Sequence, residues 1–124
     1  MISILLSVNP RYTEQILSGI KLFEYRKRLA QKSVDRIILY ATYPLMKVIG
    51  EVEVIKIVSG SPTSVWEQTK KNAGISREKY RKYFKGCKVA FAYQLGKVTA
   101  YKYPKALIDF GIDHPPQSFI YVGE

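Results

Sequence analysis

The stretch from Met46 to Ser59 most limits what this chain can fold into. It is a long segment rich in Val and Ile whose alternation slips near Gly50. Ile49, Glu51 and Glu53 share one parity before the slip is felt, and from Val54 to Val58 apolar residues occupy both parities. A strand of this length with a glycine at the slip predicts a bulge or a barrel corner rather than a flat sheet. The neighbouring segments agree. Ile2–Val8 and Arg36–Thr42 read as strands, Lys21–Arg28 as a third, and Ser118–Val122 as the last. Cys87–Leu95, Gly96 and Lys97–Tyr103 predict a hairpin, and Ala106–Phe110 a single helical turn.

Three short helices interrupt the strands. Asn9-Pro10 supplies an N-cap and an N1 proline for the first, which Gly19 ends as a left-handed C′ residue. Ser61-Pro62 starts the second, carrying Val65, Trp66 and Thr69 as far as Gly74. Ser76 caps the third, carrying Tyr80, Tyr83 and Phe84 and ended at Gly86. Successive strands lack crossover helices, which argues against a doubly wound sheet and for a small closed or partly closed barrel. The expected class is α+β, one domain over residues 1–124, since 124 residues can bury about two-thirds of their unfolded surface.

Charge narrows the function. Twenty Lys and Arg against ten Asp and Glu give +10, which favours a polyanionic partner because phosphate neutralisation drives much of nucleic-acid affinity. No apolar run approaches the ~20 residues of a membrane helix. The start of the chain reads as a strand rather than a signal peptide. A lone Cys87 rules out an internal disulfide and a cysteine-cluster zinc site, and it favours a cytoplasmic setting. No phosphate loop, nucleophile elbow or metal motif is present, so no cofactor is expected.

Four segments could carry chemistry. In Lys21–Arg28, alternation sends Phe23 and Tyr25 one way and Glu24, Arg26 and Arg28 the other. Glu24 and Arg26 then stand ~7 Å apart along one face, a carboxylate and guanidinium able to hold a base edge or a phosphate. Strict alternation puts Lys21 on the opposite face, so it joins them only if the turn after Gly19 brings it round. In Tyr40-Ala41-Thr42-Tyr43-Pro44, Tyr40 is a candidate for stacking on a base. Arg77, Arg81 and Lys85 form a helical stripe whose mutual repulsion an anion would relieve. After His114 and the rigid Pro115-Pro116 pair, Gln117 and Ser118 could present polar groups to a cleft.

The segment Gly19-Ile20-Lys21-Leu22-Phe23-Glu24-Tyr25-Arg26 carries the pattern Gly-x-Lys-x-x-Glu-x-Arg. With Ile4–Val8 and the helix before it, it resembles the opening of ASCH domains, a group within the PUA superfamily. Ile38–Thr42, Val48–Glu51 and Pro115–Phe119 resemble the small archaeal and phage-type branch of that group. The resemblance implies a PUA-like mixed β-barrel with three short helices and an RNA-binding cleft, with links to transcription or translation. The motif places Lys21, Glu24 and Arg26 in that cleft, and the residue-level reading adds Arg28, Tyr40, Arg77, Arg81, Lys85, Gln117 and Ser118 as nucleic-acid-binding candidates. It also implies an alternative, a metal-independent hydrolase acting on N4-acetylcytidine-type nucleosides or on single-stranded RNA. There Lys21 would be catalytic. The amidohydrolase branch has a threonine where this chain has Glu24, and a glutamate from a later strand, for which Glu51 and Glu53 are the candidates.

Overall fold

A computed structural model of the chain describes residues 1–123. Six strands form one curled sheet: β1 (Ser3–Val8), β2 (Phe23–Arg26), β3 (Arg36–Ala41), β4 (Lys47–Gly60), β5 (Ala90–Lys105) and β6 (Phe119–Val122). Their order is β2-β5-β4-β3-β1-β6. β1 and β3 run parallel, with Leu5 opposite Ile38, and the other neighbours are antiparallel. Helix α1 (Pro10–Leu17) joins β1 to β2, while α2 (Pro62–Thr69) and α3 (Arg77–Tyr83) fill the connection from β4 to β5.

The caps form where the sequence places them. Asn9, Ser61 and Ser76 each accept from a backbone N–H two or three residues on, satisfying donors that a helix start leaves unpaired. The expected slip at Gly50 is also present. Leu39 pairs with Gly50 but Tyr40 with Val48, so Ile49 is the extra residue of a bulge.

Two expectations need correction. Gly96 does not turn the chain: Ala90–Lys105 is one continuous strand. It stays extended because β4 runs alongside it, the pairing absorbing local irregularities through register shifts around Val54. The second helix stops at Thr69, followed by a 3-10 turn at Lys70–Asn72.

Three apolar clusters hold the fold. Ile4, Leu6, Ile37, Leu39, Val52 and Leu95 fill the concave side of the sheet. Leu5, Ile38, Tyr40, Val48 and Ile112 fill another cluster, with Tyr101, Leu107 and Phe110 packed over it. Tyr40, expected as a stacking platform, is therefore core: it is 2% exposed. β1 and β3 carry apolar residues on both faces because both are covered, so alternation could not tell Tyr40's direction. The third cluster docks α2 and α3 on β2 and β5 through Phe23, Tyr25, Val65, Tyr80, Phe84 and Ala92. Tyr25, Tyr80 and Phe84 meet edge-on, with centroids 4.8–6.3 Å apart, an arrangement that favours a single packing of rings. No helix among the described residues is long and apolar enough to cross a membrane.

Candidate functional site

The curl of the sheet brings β2, at one edge, towards β1 and the start of β6 near the other. No strand ladder closes this gap. The Arg26 side chain closes it. Its NH2 group donates to the Ser7 carbonyl at 3.2 Å, and NH1 reaches Ser118 Oγ at 3.5 Å. Ser7 reinforces the same corner, its hydroxyl donating to the Pro116 carbonyl at 2.7 Å. A cleft of about 210 Å³ opens along this seam.

Glu24 and Arg26 lie on one face, as alternation requires, and form an ion pair. Nε and NH2 of Arg26 both lie 2.9 Å from Glu24 Oε2. That leaves Glu24 Oε1 without a protein partner among the described residues, although the residue is only 6% exposed. The free oxygen is an acceptor at the floor of the cleft.

Lys21 does reach these two. Gly19 turns at φ +83°, and the N–H groups of Ile20 and Lys21 both donate to the Gln15 carbonyl, folding the chain back before β2 begins. Lys21 therefore precedes the regular strand, and strand parity does not confine it to one side. Its ammonium, on a residue 3% exposed, donates to the Ala73 carbonyl at 2.6 Å. It sits 4.8 Å from the ring centre of Tyr25 and 5.1 Å from that of Tyr12, within cation–π range. Burial lowers the Lys21 pKa from its ordinary value; Glu24 opposes that shift and Arg26 adds to it. Tyr25 donates to Thr69 Oγ1 at 2.7 Å, and burial pushes its hydroxyl up to about 12.

Several lining residues were not identified as site residues from sequence, among them Ser7, Tyr12 and Tyr83. Tyr12 and Tyr83 form the walls, Tyr83 being 38% exposed. The sequence signal for Tyr83 is its place among the lysines and arginines of α3, which reads equally well as a docking residue. Nothing local marks the Ser7 carbonyl, which matters only because a strand distant in sequence arrives beside it.

The other candidates scatter. Ser118 stands at the rim through Arg26, and Gln117 is exposed beside it. Arg28 is exposed just past the end of β2. Arg77 and Arg81 line a different groove, and Lys85 is exposed beyond the end of α3. Glu51 is not brought to Lys21. It pairs with Arg36 at 2.8 Å and lines a separate cleft with Glu53. His114 is exposed and contacts Asp113. Among the described residues no cluster of His, Cys, Asp and Glu is suited to a metal.

Comparison with known proteins places this geometry. A family model described as the ASCH domain matches residues 6–99. Over 91 residues the chain is 35% identical to a protein of Zymomonas mobilis subsp. mobilis named ASCH domain-containing ribonuclease, covering 73% of this chain and 62% of that one. Over 121 residues it is 31% identical to part of a Ureaplasma parvum serovar 3 protein named ATP synthase subunit alpha, covering 97% of this chain but 15% of that protein. The chain thus spans less than two-thirds of the length of these curated relatives. The crystal structure of ASCH from Zymomonas mobilis superposes with a TM-score of 0.90 at 30% identity, covering 98% of this chain and 88% of that one. The expected α+β, PUA-like barrel is thus present as a curled six-stranded half-barrel with three helices. With the signature Gly19, Lys21, Glu24 and Arg26 inside the matched region and the whole fold shared, this chain belongs to the ASCH domain family.

Proposed function

We propose that the chain binds single-stranded RNA through the seam cleft, taking one unstacked nucleotide against Lys21, Glu24 and Arg26. The observation that carries this is the convergence of a buried ammonium, a buried carboxylate and a guanidinium between two tyrosine walls, on a chain of net charge +10. A cleft of about 210 Å³ is smaller than the roughly 300–1,000 Å³ of drug-sized sites, which suits one base or nucleoside. The free Glu24 Oε1 would accept from an exocyclic amino group, as carboxylates do from cytosine N4. Tyr12 and Tyr83 would stack, at roughly 1–3 kcal/mol per base. Arg28, Arg77, Arg81 and Lys85 would meet phosphates, with Gln117 and Ser118 at the rim. The likeness to a protein named a ribonuclease supports RNA as the polymer.

This function has residues 1–124 working as one domain in the cytoplasm, on transcription or translation. The segments Ile38–Thr42 and Pro115–Phe119 support the small archaeal and phage-type branch. The test is fluorescence anisotropy with mixed-sequence RNA oligomers at low and rising salt. Affinity should fall steeply with salt, and Lys21→Met should weaken it at least about tenfold, the loss of one charge-assisted contact. Absence of binding by the parent protein at low salt overturns the proposal.

One observation favours a second function, a metal-independent hydrolase. Burial makes Lys21 a readier proton donor than an exposed lysine, and Glu24 lies within the same cleft to take a proton. The substrate would be single-stranded RNA or an N4-acetylcytidine-type nucleoside. Glu51 is too differently placed to assist. Turnover of either substrate by the parent, lost in Lys21→Ala with an unchanged circular dichroism spectrum, would establish it. Turnover that survives Lys21→Ala would refute it.

A further inference from the structure

A second groove, of about 240 Å³, lies on the other flank of α3 from the seam cleft. Pro62, Thr63 and Trp66 of α2 form one side, and Arg77 and Arg81 of α3 the other. Tyr80 lines both this groove and the cleft, and so forms the wall between them. Its ring stands edge-on to Tyr25 at 5.0 Å on the cleft side and lies 4.7 Å from Trp66 on the groove side. Its hydroxyl donates to the Pro62 carbonyl at 2.7 Å, which pins the wall to the start of α2.

Arg77 and Arg81 are one helical turn apart and exposed, and among the described residues neither has a carboxylate within ion-pair distance. Glu67 is near enough to feel Arg77, but its carboxylate is bonded to Lys70 at 2.8 Å. Like charges one turn apart repel, and both line a hollow whose other side carries the Trp66 indole. Lys79 and Lys82 are exposed on α3 together with Glu78, and Lys79 lines a further hollow with Tyr12 and Ile75, both of which also line the seam cleft. The exposed side of α3 thus carries Arg77, Lys79, Arg81 and Lys82 against one carboxylate, Glu78, and is net positive between the two hollows.

We propose that the α2–α3 groove is a second nucleotide subsite of the same RNA site. Arg77 and Arg81 hold a phosphate there, Trp66 backs the sugar or base, and the strand crosses α3 over Lys79 and Lys82. This rests on RNA being the ligand of the seam cleft. A helix is about 10–12 Å across with its side chains. Phosphates along one strand of a B-form duplex are about 3.4 Å apart on the axis, which sets the scale. The two subsites are then roughly three to four nucleotides apart, so short oligomers should bind much better than nucleosides.

Trp66 is the sole tryptophan, so its fluorescence reports on this groove directly. The probes are the four free nucleosides and a mixed-sequence RNA hexamer. The hexamer should change Trp66 emission, and the nucleosides should not. Arg77→Gln with Arg81→Gln should weaken the hexamer at least about tenfold and flatten its salt dependence by about 0.7 in log–log slope, the share of the one phosphate they hold. Nucleoside binding in that variant should be unchanged. Lys21→Met should do the reverse, abolishing nucleoside binding while the hexamer still perturbs Trp66. A hexamer that binds the parent without changing Trp66 emission, or with no loss in the double variant, removes the subsite and leaves the seam cleft standing. No hexamer binding to the parent would sink both proposals. A polyglutamate peptide that perturbs Trp66 through Arg77 and Arg81, where the hexamer does not, would assign the groove to protein and overturn the RNA path.

Discussion

The polar bridge from β2 to β1 is made by the Arg26 side chain, and replacing it tests how far the curl of the sheet depends on that bridge. In Arg26→Met the stem is kept and the guanidinium is lost. Removing one partner of a buried pair costs about 3–5 kcal/mol, because the other charge is stranded. Two features reduce that here. The Arg26 and Glu24 side chains are 16% and 8% exposed, and Lys21 remains near Glu24 as a second cation. The bond to the Ser7 carbonyl is also lost. The expected destabilisation is therefore about 2–3 kcal/mol, at or below the lower end of that range. For a chain of this size each kcal/mol moves the midpoint by roughly 3–5 °C, a fall of about 6–15 °C. Urea denaturation followed by Trp66 fluorescence measures it, with the slope m unchanged if only the pair is lost. Glu24→Gln, which keeps shape and one acceptor, should cost about 1–2 kcal/mol, and the double variant should fall short of the sum by about 1–2 kcal/mol. A loss below about 1 kcal/mol in Arg26→Met, or strict additivity, would show that the clasp does not hold the seam.

Four other outcomes follow from the structure. At Gly74, φ is +67° and an added Cβ would lie 2.7 Å from both Lys21 Cβ and Gln15 Oε1, so Gly74→Ala should lose about 2–3 kcal/mol and weaken RNA binding by displacing Lys21. Gly111→Ala, at φ +74° with open space around it, should lose only the conformational part, about 1–2 kcal/mol, and bind normally. Tyr40→Phe should leave RNA affinity within about twofold, measured by anisotropy, because a fully buried ring contributes no stacking surface. Stability should also depend on alkaline pH, with two opposite signs. Lys21 has a lowered pKa in the fold, so the unfolded chain holds that proton more tightly, and stability rises as pH approaches 10.5. Tyr25 and Tyr80 are held up at about 12 by burial, so their contribution is complete below pH 10.0 and is lost as pH climbs towards 12. Thermal melts between pH 8 and 12 should lose the rise in Lys21→Met and lose part of the fall in Tyr25→Phe.

What the sequence by itself determined is what a few adjacent residues can encode. The three helix starts are legible in Asn9, Ser61 and Ser76, since a capping side chain bonds its own next turn. The bulge beside Gly50 and the shared face of Glu24 and Arg26 follow from strand period alone. Of the residues in the family pattern, Lys21, Glu24 and Arg26 line the seam cleft. Tertiary structure decided the rest. Gly96 sits in a continuous strand because β4 offers a long partner, which no local preference states. Tyr40 is core because both faces of β3 are covered. Glu51, a plausible acid by type, is drawn to Arg36 on its neighbouring strand. The cleft itself needs Ala73 beside Lys21, and Ser7 and Ser118 beside Arg26, contacts across 52, 19 and 92 positions of the chain. Those distances are set by how far the sheet curls, a property of all six strands packing together. The chemistry of the site was therefore written locally, and its enclosure was not.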